Sequence, residues 1–150
     1  MPQSFTCLLY HLVFSTKDRR QWITEDIRDR LYPYMGGILR SQNGVALSIG
    51  GTEDHIHILA RIHQTLAVAD LLRDVKAGSS KWVHDTFPEL RAFAWQSGYG
   101  AFTVSASQTD RVKTYIETQQ EHHRKEDFKT EFLRLLKAHD IEYDERYIWD

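Results

Sequence analysis

The 150-residue chain is predicted to fold as an α+β sandwich with the element order βαββαβ. Apolar residues follow strand spacing in four segments and helical spacing in the segments between them. Asn43-Gly44 and Gly50-Gly51 mark the breaks around the second strand. Hydrophobic residues make up 41% of the chain, enough for a packed core, and no repeat or Pro/Gly/Ser-rich linker interrupts it. We therefore expect one domain over residues 1–150.

Each element is predicted from its local pattern. Aromatic and branched residues predict strands at 5–15, 45–49, 56–62 and 99–105. Helical spacing predicts helices from Thr24 to Leu39, with Pro33 as a distortion, over 68–83, from Ser107 to about His123, and over 128–139. Ser107 and Asp110 form a capping-box-like start to the third helix. This order predicts a ferredoxin-like sheet, similar to that of RNA-recognition domains, with added C-terminal helices.

The charge pattern argues against a protein that coats nucleic acid through bulk positive charge, since the formal net charge is −2. Residues 140–150 form an acidic, aromatic tail with five acidic residues and one arginine, so the preceding part of the chain can carry a basic surface. The apolar stretch 8–14 is too short to span a bilayer. Residues 1–4 do not resemble a secretory signal, and Cys7 is the only cysteine, so we expect a cytoplasmic protein with no membrane segment.

A histidine pair lies in the third predicted strand, within His55-Ile56-His57-Ile58. Strand alternation sends both imidazoles to one face and both isoleucines to the other, toward the crossover helices. The two rings can therefore share one metal ion on the uncovered face. Chance predicts about 0.4 such pairs in a chain with this many histidines, so two structural histidines remain an alternative. Glu53, two residues before His55, is a candidate to orient that ring.

Three polar residues of the third predicted helix share one stripe. Tyr115, Gln119 and His122 fall at i, i+4 and i+7. A tyrosine at this spacing often only packs in a core, but a glutamine and a histidine beside it would each need a buried partner. A carboxamide that faces the histidine pair can instead complete a metal site, so the pattern suggests two histidines, a glutamine and a nearby phenol.

The phenol has a specific use beside a metal ion. With an ordinary pKa of about 10, tyrosine is a weak nucleophile at neutral pH unless a cation polarises its target. A metal-clamped phosphodiester attacked in line by Tyr115 would give a phosphotyrosine and release a sugar hydroxyl. The energy of the broken bond would then be kept for rejoining.

The motifs His55-Ile56-His57 and Tyr115-Ile116-Glu117-Thr118-Gln119 resemble those of the HUH single-tyrosine transposases of small bacterial and archaeal insertion sequences, the IS200-like family. Further segments similar to the recurring segments of that family are 11–17, 76–82, 98–105, 119–123 and 143–147. The resemblance covers nearly the whole chain, and no family motif is missing.

The resemblance implies that His55, His57 and Gln119 bind a catalytic Mg²⁺ or Mn²⁺ and that Tyr115 is the nucleophile. It implies a 5′-phosphotyrosine intermediate with a free 3′-hydroxyl, and no nucleotide cofactor. It also implies a homodimer in which the tyrosine helix of one subunit completes the active site of the other. His122 and His123 match a recurring pair without an assigned role, and packing or DNA contact is expected of them rather than metal ligation.

The implied substrate is single-stranded DNA with a hairpin near the cleavage point. Basic residues that could contact its phosphates are Lys17, Arg19, Arg20, Arg73, Lys76, Lys81, Arg111 and Lys113. Each of them could also be an ordinary solvated charge. Tyr99 and Phe102 could stack on bases, although aromatic residues in a strand usually belong to the core.

Three alternatives remain open on the sequence alone. A domesticated relative would nick and join hairpins at dispersed chromosomal repeats without moving an element of its own. A non-catalytic module would use the same sheet to hold single strands and would not depend on metal. A zinc hydrolase would use the imidazoles but form no covalent adduct.

Overall fold

The computed structural model describes residues 3–150, so Met1 and Pro2, which enter the localisation prediction, lie outside the described residues. The strands are β1 (Leu9–Ser15), β2 (Val45–Gly51), β3 (His55–Arg61) and β4 (Gly100–Thr103). The helices are α1 (Glu25–Ser41), α2 (Val68–Thr86), α3 (Thr109–Glu117), α4 (Gln119–His122) and α5 (Phe128–Ala138). No helix among these residues is long and apolar enough to cross a membrane.

The strands form one antiparallel sheet in the order β2-β3-β1-β4. β1 is central, and its Val13 lies opposite His57 of β3 and Gly100 of β4. α1 connects β1 to β2, and α2 connects β3 to β4. This connectivity is the ferredoxin-like arrangement, so the predicted fold class is confirmed.

The main core lies between the sheet and the two crossover helices. Sheet residues that face α1 and α2 are Leu12, Phe14, Ile56, Ile58 and Ala60. They meet the buried apolar stripes of the helices, which include Leu31, Met35 and Leu39 of α1 and Leu71, Leu72 and Val75 of α2. Full burial of one such aliphatic side chain contributes about 1.5–3 kcal/mol, so this layer supplies much of the stability of the sheet.

The opposite face of the sheet is covered by α3 and α5. Val13 and Phe102 pack there against the apolar stripe of α5, Phe128, Phe132, Leu135 and Leu136. The acidic, aromatic tail docks on the same cluster through Ile148 and Trp149. Arg19 holds the tail in place, since its Nη1 donates to the carbonyl oxygen of Trp149 at 2.8 Å.

Two predicted boundaries need correction. The first strand begins at Leu9, which pairs with Arg61 at the end of β3, and not at Phe5, which is exposed. The third predicted helix is broken at Thr118, whose hydroxyl donates to the carbonyl oxygen of Thr114 at 2.8 Å. Its predicted cap is also wrong, because the hydroxyl of Ser107 hydrogen-bonds that of Ser105 and no side chain caps α3.

Gly50 of β2 sets the distance between the sheet and α3. A Cβ at this position would overlap the carbonyl oxygen of Ile116, the residue after Tyr115. Glycine therefore permits a close approach of the two backbones that any other residue would prevent. This contact fixes the height at which the tyrosine helix lies over the sheet.

Candidate metal and tyrosine site

β3 directs two imidazoles to the face covered by α3 and α5. The side chains of His55 and His57 are wholly buried there, while Ile56 and Ile58 point into the main core. The alternation predicted from the sequence is therefore observed. The rings lie 5.0 Å apart between centroids, close enough to share one ligand.

A carboxylate from α5 enters this face. Glu131 lies within the apolar stripe of the helix and is wholly buried. Its Oε1 lies 3.1 Å from Nε2 of His57, 3.4 Å from Nε2 of His55 and 3.0 Å from Nε2 of His123. One carboxylate oxygen therefore faces three imidazoles.

The electrostatics of this group favour an ionised carboxylate. Burial opposes ionisation of Glu131, but hydrogen bonds from His123 and His57 outweigh it and hold its pKa well below the ordinary range. Burial lowers the pKa of His57 to about 4, although Glu131 acts in the opposite direction. His123 is less enclosed, so its contact with Glu131 outweighs desolvation and raises its pKa. The site therefore combines a carboxylate with a neutral His57 at neutral pH.

Gln119, the first residue of α4, completes the group. Its Oε1 lies 2.9 Å from Nε2 of His55, and its Nε2 donates to the carbonyl oxygen of Tyr115 at 3.3 Å. The second bond orients the carboxamide oxygen toward the histidine pair. The structure thus brings together the three residues predicted as metal ligands.

The donor set fits a divalent cation. Ligand atoms of His55, His57 and Glu131 all lie within 4.8 Å of one another, and the carboxamide oxygen of Gln119 lies beside them. Two imidazoles with a carboxylate and an amide oxygen form a mixed nitrogen and oxygen set that accommodates ions such as Mn²⁺. The negative charge of Glu131 would balance part of the charge of such an ion.

Tyr115 points at the same carboxylate from α3. Its hydroxyl donates to Oε2 of Glu131 and accepts from Nη2 of Arg134 at 3.1 Å. Arg134 is also bound to Oε1 of Glu126 at 2.7 Å. Burial and the nearby charge of Glu131 raise the pKa of Tyr115 above its ordinary value, despite Arg134. The phenol is therefore neutral in this arrangement.

His55 is oriented from behind by the turn between β2 and β3. Its Nδ1 lies 2.7 Å from Oδ1 of Asp54 and 3.0 Å from Oγ1 of Thr52. The expectation that Glu53 orients this ring is wrong, since Glu53 faces Arg28 at 3.8 Å. The reason is that the turn interrupts strand alternation between Glu53 and His55. A carboxylate at Nδ1 leaves Nε2 to face the metal position.

A cleft of about 500 Å³ opens beside the phenol. Its polar and aromatic lining includes His11, Phe102, Arg111, Tyr115, Arg134 and His139. Among the described residues, two arginines and no carboxylate line it, so the cleft suits an anionic group such as a phosphodiester. Phe102 stacks on His139 with 4.4 Å between ring centroids, which leaves this aromatic residue in the cleft wall.

The basic residues predicted to contact DNA are spread over several environments. Lys17, Arg20 and Lys113 are exposed, and Arg111 lines the cleft. Four others already have protein partners: Arg19 binds the tail, Arg73 pairs with Asp70 and Asp74, Lys76 binds backbone carbonyls and Lys81 pairs with Asp85. Arg111 is therefore the member placed nearest to the candidate site.

Sequence reasoning missed several residues of the site. Glu131 is a charged residue within an apolar helical stripe, which is the signal that could have found it. Arg134 follows it by three residues on the same helix. His11 lies two residues before Val13 in β1, so strand alternation places it on the same face of the sheet, the face covered by α5.

His122 and His123 both lie at the site. His122 packs against the ring of Tyr115 at 4.9 Å between centroids, and His123 contacts Glu131.

The fold and the site together define an α+β protein in which a ferredoxin-like sheet carries paired histidines beneath a tyrosine-bearing helix. The model of the family described as "Transposase IS200 like" matches residues 4–119. The chain belongs to this family. The match ends at Gln119, so α5 and Glu131 lie beyond the matched residues.

Two relatives agree with this assignment. The chain is 27% identical to the ISDra2 transposase TnpA of Deinococcus radiodurans over 118 residues, 75% of this chain and 84% of the relative. It is 30% identical to the transposase for insertion sequence element IS200 of Salmonella typhimurium, over 75% of this chain and 76% of the relative.

Two solved structures share the fold. A transposase structure from Deinococcus radiodurans R1 superimposes with a TM-score of 0.65 at 24% identity, covering 79% of this chain and 98% of that chain. A REP-associated tyrosine transposase bound to a REP hairpin gives a TM-score of 0.61 at 12% identity, covering 82% of this chain and 73% of that chain.

Proposed function

We propose that this transposase is a metal-dependent enzyme that nicks and rejoins single-stranded DNA through Tyr115. The observation that carries the proposal is the convergence of the Tyr115 hydroxyl, His55 and His57 on one buried carboxylate, Glu131. A buried charge of this kind lowers stability unless it is paired and hydrogen-bonded, so its presence among three imidazoles and a phenol points to a functional role. Its location at the edge of a basic cleft supports a reaction on a phosphate ester.

In this proposal His55, His57, Gln119 and Glu131 hold a divalent ion, Mg²⁺ or Mn²⁺. The ion would supply Lewis-acid polarisation of a phosphoryl oxygen. Asp54 and Thr52 keep Nε2 of His55 directed at the position of the ion. Gln119 is held by the carbonyl oxygen of Tyr115, so the ligand and the nucleophile are positioned together.

Tyr115 acts as the nucleophile. Glu131 accepts the hydrogen bond of the phenol and orients it. The phenol oxygen bonds to phosphorus as the bond from phosphorus to the 3′ oxygen breaks, and the phenol proton leaves to the solvent of the cleft. The 3′ oxygen takes up a proton and leaves as a free hydroxyl, with the 5′ phosphate bound to the tyrosine. Arg134, which donates to the phenol oxygen, stabilises the negative charge that forms there. Attack by a second 3′-hydroxyl reverses these steps and rejoins the strand.

The proposed substrate is single-stranded DNA next to a hairpin. One solved structure with this fold is bound to a REP hairpin, which supports hairpin DNA for this chain as well. Arg111 and Arg134 would contact the phosphates nearest the cut. The exposed Lys17, Arg20 and Lys113 would contact phosphates further along the strand. A homodimer, a cytoplasmic location and the absence of a nucleotide cofactor remain predictions of the family resemblance.

The experiment that tests the proposal is capture of the covalent adduct. Protein is incubated with labelled single-stranded hairpin DNA from element ends, with Mn²⁺ or with EDTA, and run on a denaturing gel. We expect a metal-dependent adduct that is absent from Tyr115→Phe and present in Tyr147→Phe, a matched change at an exposed tyrosine. Adduct formation by Tyr115→Phe, or its absence from the unmodified protein on authentic element ends, would contradict the proposal.

A repeat-associated enzyme is the second candidate, and the fold similarity to the REP-associated transposase favours it. Its chemistry would be the same, so the adduct experiment does not separate the two. Hairpins from dispersed repeats and hairpins from paired element ends, compared as substrates at equal concentration, would separate them.

A further inference from the structure

His11 of β1 is buried against His57 and has no part in the proposed reaction. Its side chain is 6% exposed, and its Nε2 lies 2.7 Å from Nδ1 of His57. The two rings are stacked, with 4.9 Å between their centroids. The sheet creates this contact because Val13 lies opposite His57, which places His11 diagonally across from it on the same face.

A hydrogen bond between two imidazole nitrogens requires one N–H and one lone pair. Both rings are buried away from water, which favours their neutral forms, and the contact between their nitrogens requires a lone pair on one of them. A neutral imidazole carries its proton on one nitrogen only. The pair therefore has two arrangements that keep the bond between the rings.

The two arrangements differ at Nε2 of His57, the atom that faces Glu131 at 3.1 Å. In the first, Nε2 of His57 donates to Glu131 while Nδ1 accepts from Nε2–H of His11. In the second, Nδ1–H of His57 donates to Nε2 of His11, and Nε2 of His57 presents a lone pair. Only the second arrangement allows His57 to bind a cation, because a ligating nitrogen cannot carry a proton.

We propose that His11 is a positioning residue that sets the tautomer of His57 through this bond. Without a cation the pair adopts the first arrangement, which satisfies Glu131. With a cation it adopts the second, and His11 accepts the Nδ1 proton of His57 instead of leaving it buried and unpaired. The inference rests on the proposed metal site and adds a residue from a different strand to it.

The surroundings of His11 suit this role. Its side chain makes no other hydrogen bond within residues 3–150, so no competing partner fixes its tautomer. The ring lines the cleft, where its second nitrogen can exchange a proton with solvent. Phe102 packs against the ring with 6.2 Å between centroids and holds it against His57.

Two substitutions separate positioning from packing. His11→Phe keeps an aromatic ring beside His57 and Phe102 but removes both ring nitrogens. His11→Gln removes the ring but keeps a carboxamide, which can donate to His57 or accept from it. His63→Gln is the matched control, since His63 is an exposed histidine whose Nδ1 contacts Thr65.

The test measures Mn²⁺ affinity by electron paramagnetic resonance in the unmodified protein and the three variants, with thermal unfolding to confirm folding. Loss of an outer partner of a ligating histidine weakens metal affinity by about 10- to 100-fold. We expect that loss in His11→Phe, recovery of most of the affinity in His11→Gln, and no change in His63→Gln. Nitrogen-15 NMR of the Mg²⁺-loaded unmodified protein should show the His57 proton on Nδ1.

The outcomes distinguish this inference from the proposed function. If the unmodified protein binds Mn²⁺ and folded His11→Phe binds it equally well, the role of His11 is overturned while the metal site stands. A proton on Nε2 of His57 in the Mg²⁺-loaded protein would overturn it too. If the unmodified protein binds no Mn²⁺, both the metal site and the role of His11 are wrong.

Discussion

The hydroxyl of Tyr115 and the carboxylate of Glu131 form a hydrogen bond across two helices that lie over the same sheet face. Oε1 of the same carboxylate contacts His55 and His57. The proposed nucleophile and the proposed metal ligands are thus connected through one buried side chain. A change at Glu131 should therefore affect both functions together.

Glu131→Gln should lower the pKa of Tyr115. The substitution keeps the volume of the side chain and removes the charge that helps to raise this pKa. Burial persists, so the pKa should fall without reaching its ordinary value of about 10. Ultraviolet titration of phenolate, as the difference from a Tyr115→Phe background, measures it. Glu121→Gln changes an exposed carboxylate and serves as the control; equal titration curves for both variants would contradict the prediction.

The metal-free protein should lose stability on acidification between pH 6.5 and pH 4. The pKa of His57 falls from 6.5 to about 4 on folding, so in this window the unfolded chain binds a proton that the folded protein does not. The loss from this wholly buried group is on the order of 3 kcal/mol. Urea unfolding in EDTA at several pH values measures it.

Two variants check that assignment. His57→Gln should reduce the dependence of the unfolding free energy on pH across the window without abolishing it, because buried His11 has a lowered pKa and contributes in the same direction. His63→Gln, at an exposed position, should leave the dependence unchanged. The depressed pKa of Glu131 acts in the same direction at lower pH, since its stabilisation is lost as pH falls below about 4.5. A stability that is constant from pH 6.5 to pH 4 would show that His57 is not buried as described.

Arg111→Gln should weaken binding of single-stranded DNA and reduce its dependence on salt. Arg111 lines the cleft, and loss of one phosphate contact lowers the slope of log affinity against log salt by about 0.7. Fluorescence anisotropy over a range of salt concentrations measures the slope. Arg146→Gln removes an equal charge that is paired with Asp144 away from the cleft, and should leave the slope unchanged.

Lys76→Met should destabilise the segment before β4. Nζ of Lys76 donates to the carbonyl oxygens of Gln96 at 2.9 Å and Ser97 at 3.2 Å, and also to that of Gly98. Gln96 is buried, and leaving its carbonyl oxygen without a donor costs about 1–3 kcal/mol. Thermal unfolding and hydrogen exchange at residues 96–98 measure the effect.

Lys81→Met is the control for that prediction. Lys81 lies on the same helix but pairs with Asp85 in an exposed ion pair, which solvent screens and which therefore contributes little to stability. Equal losses of stability in the two lysine variants would contradict the role given to Lys76.

Gly50→Ala should lower the rate of adduct formation by a larger factor than it lowers the equilibrium constant for folding. The added methyl group would meet the carbonyl oxygen of Ile116, so α3 must move away from the sheet and carry Tyr115 with it. A displacement of about 1 Å can cost 100-fold in rate. Single-turnover rates beside thermal unfolding measure the two effects; Gly37→Ala, at an open helical position, is the control.

The local periodicity of the sequence was sufficient to predict half of the residues of the site. The alternation of His55 and His57 with Ile56 and Ile58 gave the correct strand face, and the four-residue spacing of Tyr115 and Gln119 placed both toward it. These are contacts within one element or between elements whose facing sides the pattern defines. The ferredoxin-like fold class followed from the order of these elements along the chain.

The rest of the site depends on docking that no local pattern encodes. Glu131 reaches the histidines only because α5 packs its apolar stripe on Val13 and Phe102. His11 meets His57 only because β1 and β3 pair in one particular register. The helix breaks at Thr118 without a glycine or proline that would have predicted the break. The hydroxyl of Thr118 instead donates to a carbonyl oxygen of the preceding turn.

The two apolar clusters lie on opposite faces of one sheet, and only one of them borders the histidines and the tyrosine. A protein engineer can therefore treat the sheet as a partition. Substitutions beneath α1 and α2 offer a way to make the molecule more robust to heat while turnover stays intact, whereas repacking around α5 retunes the reaction itself.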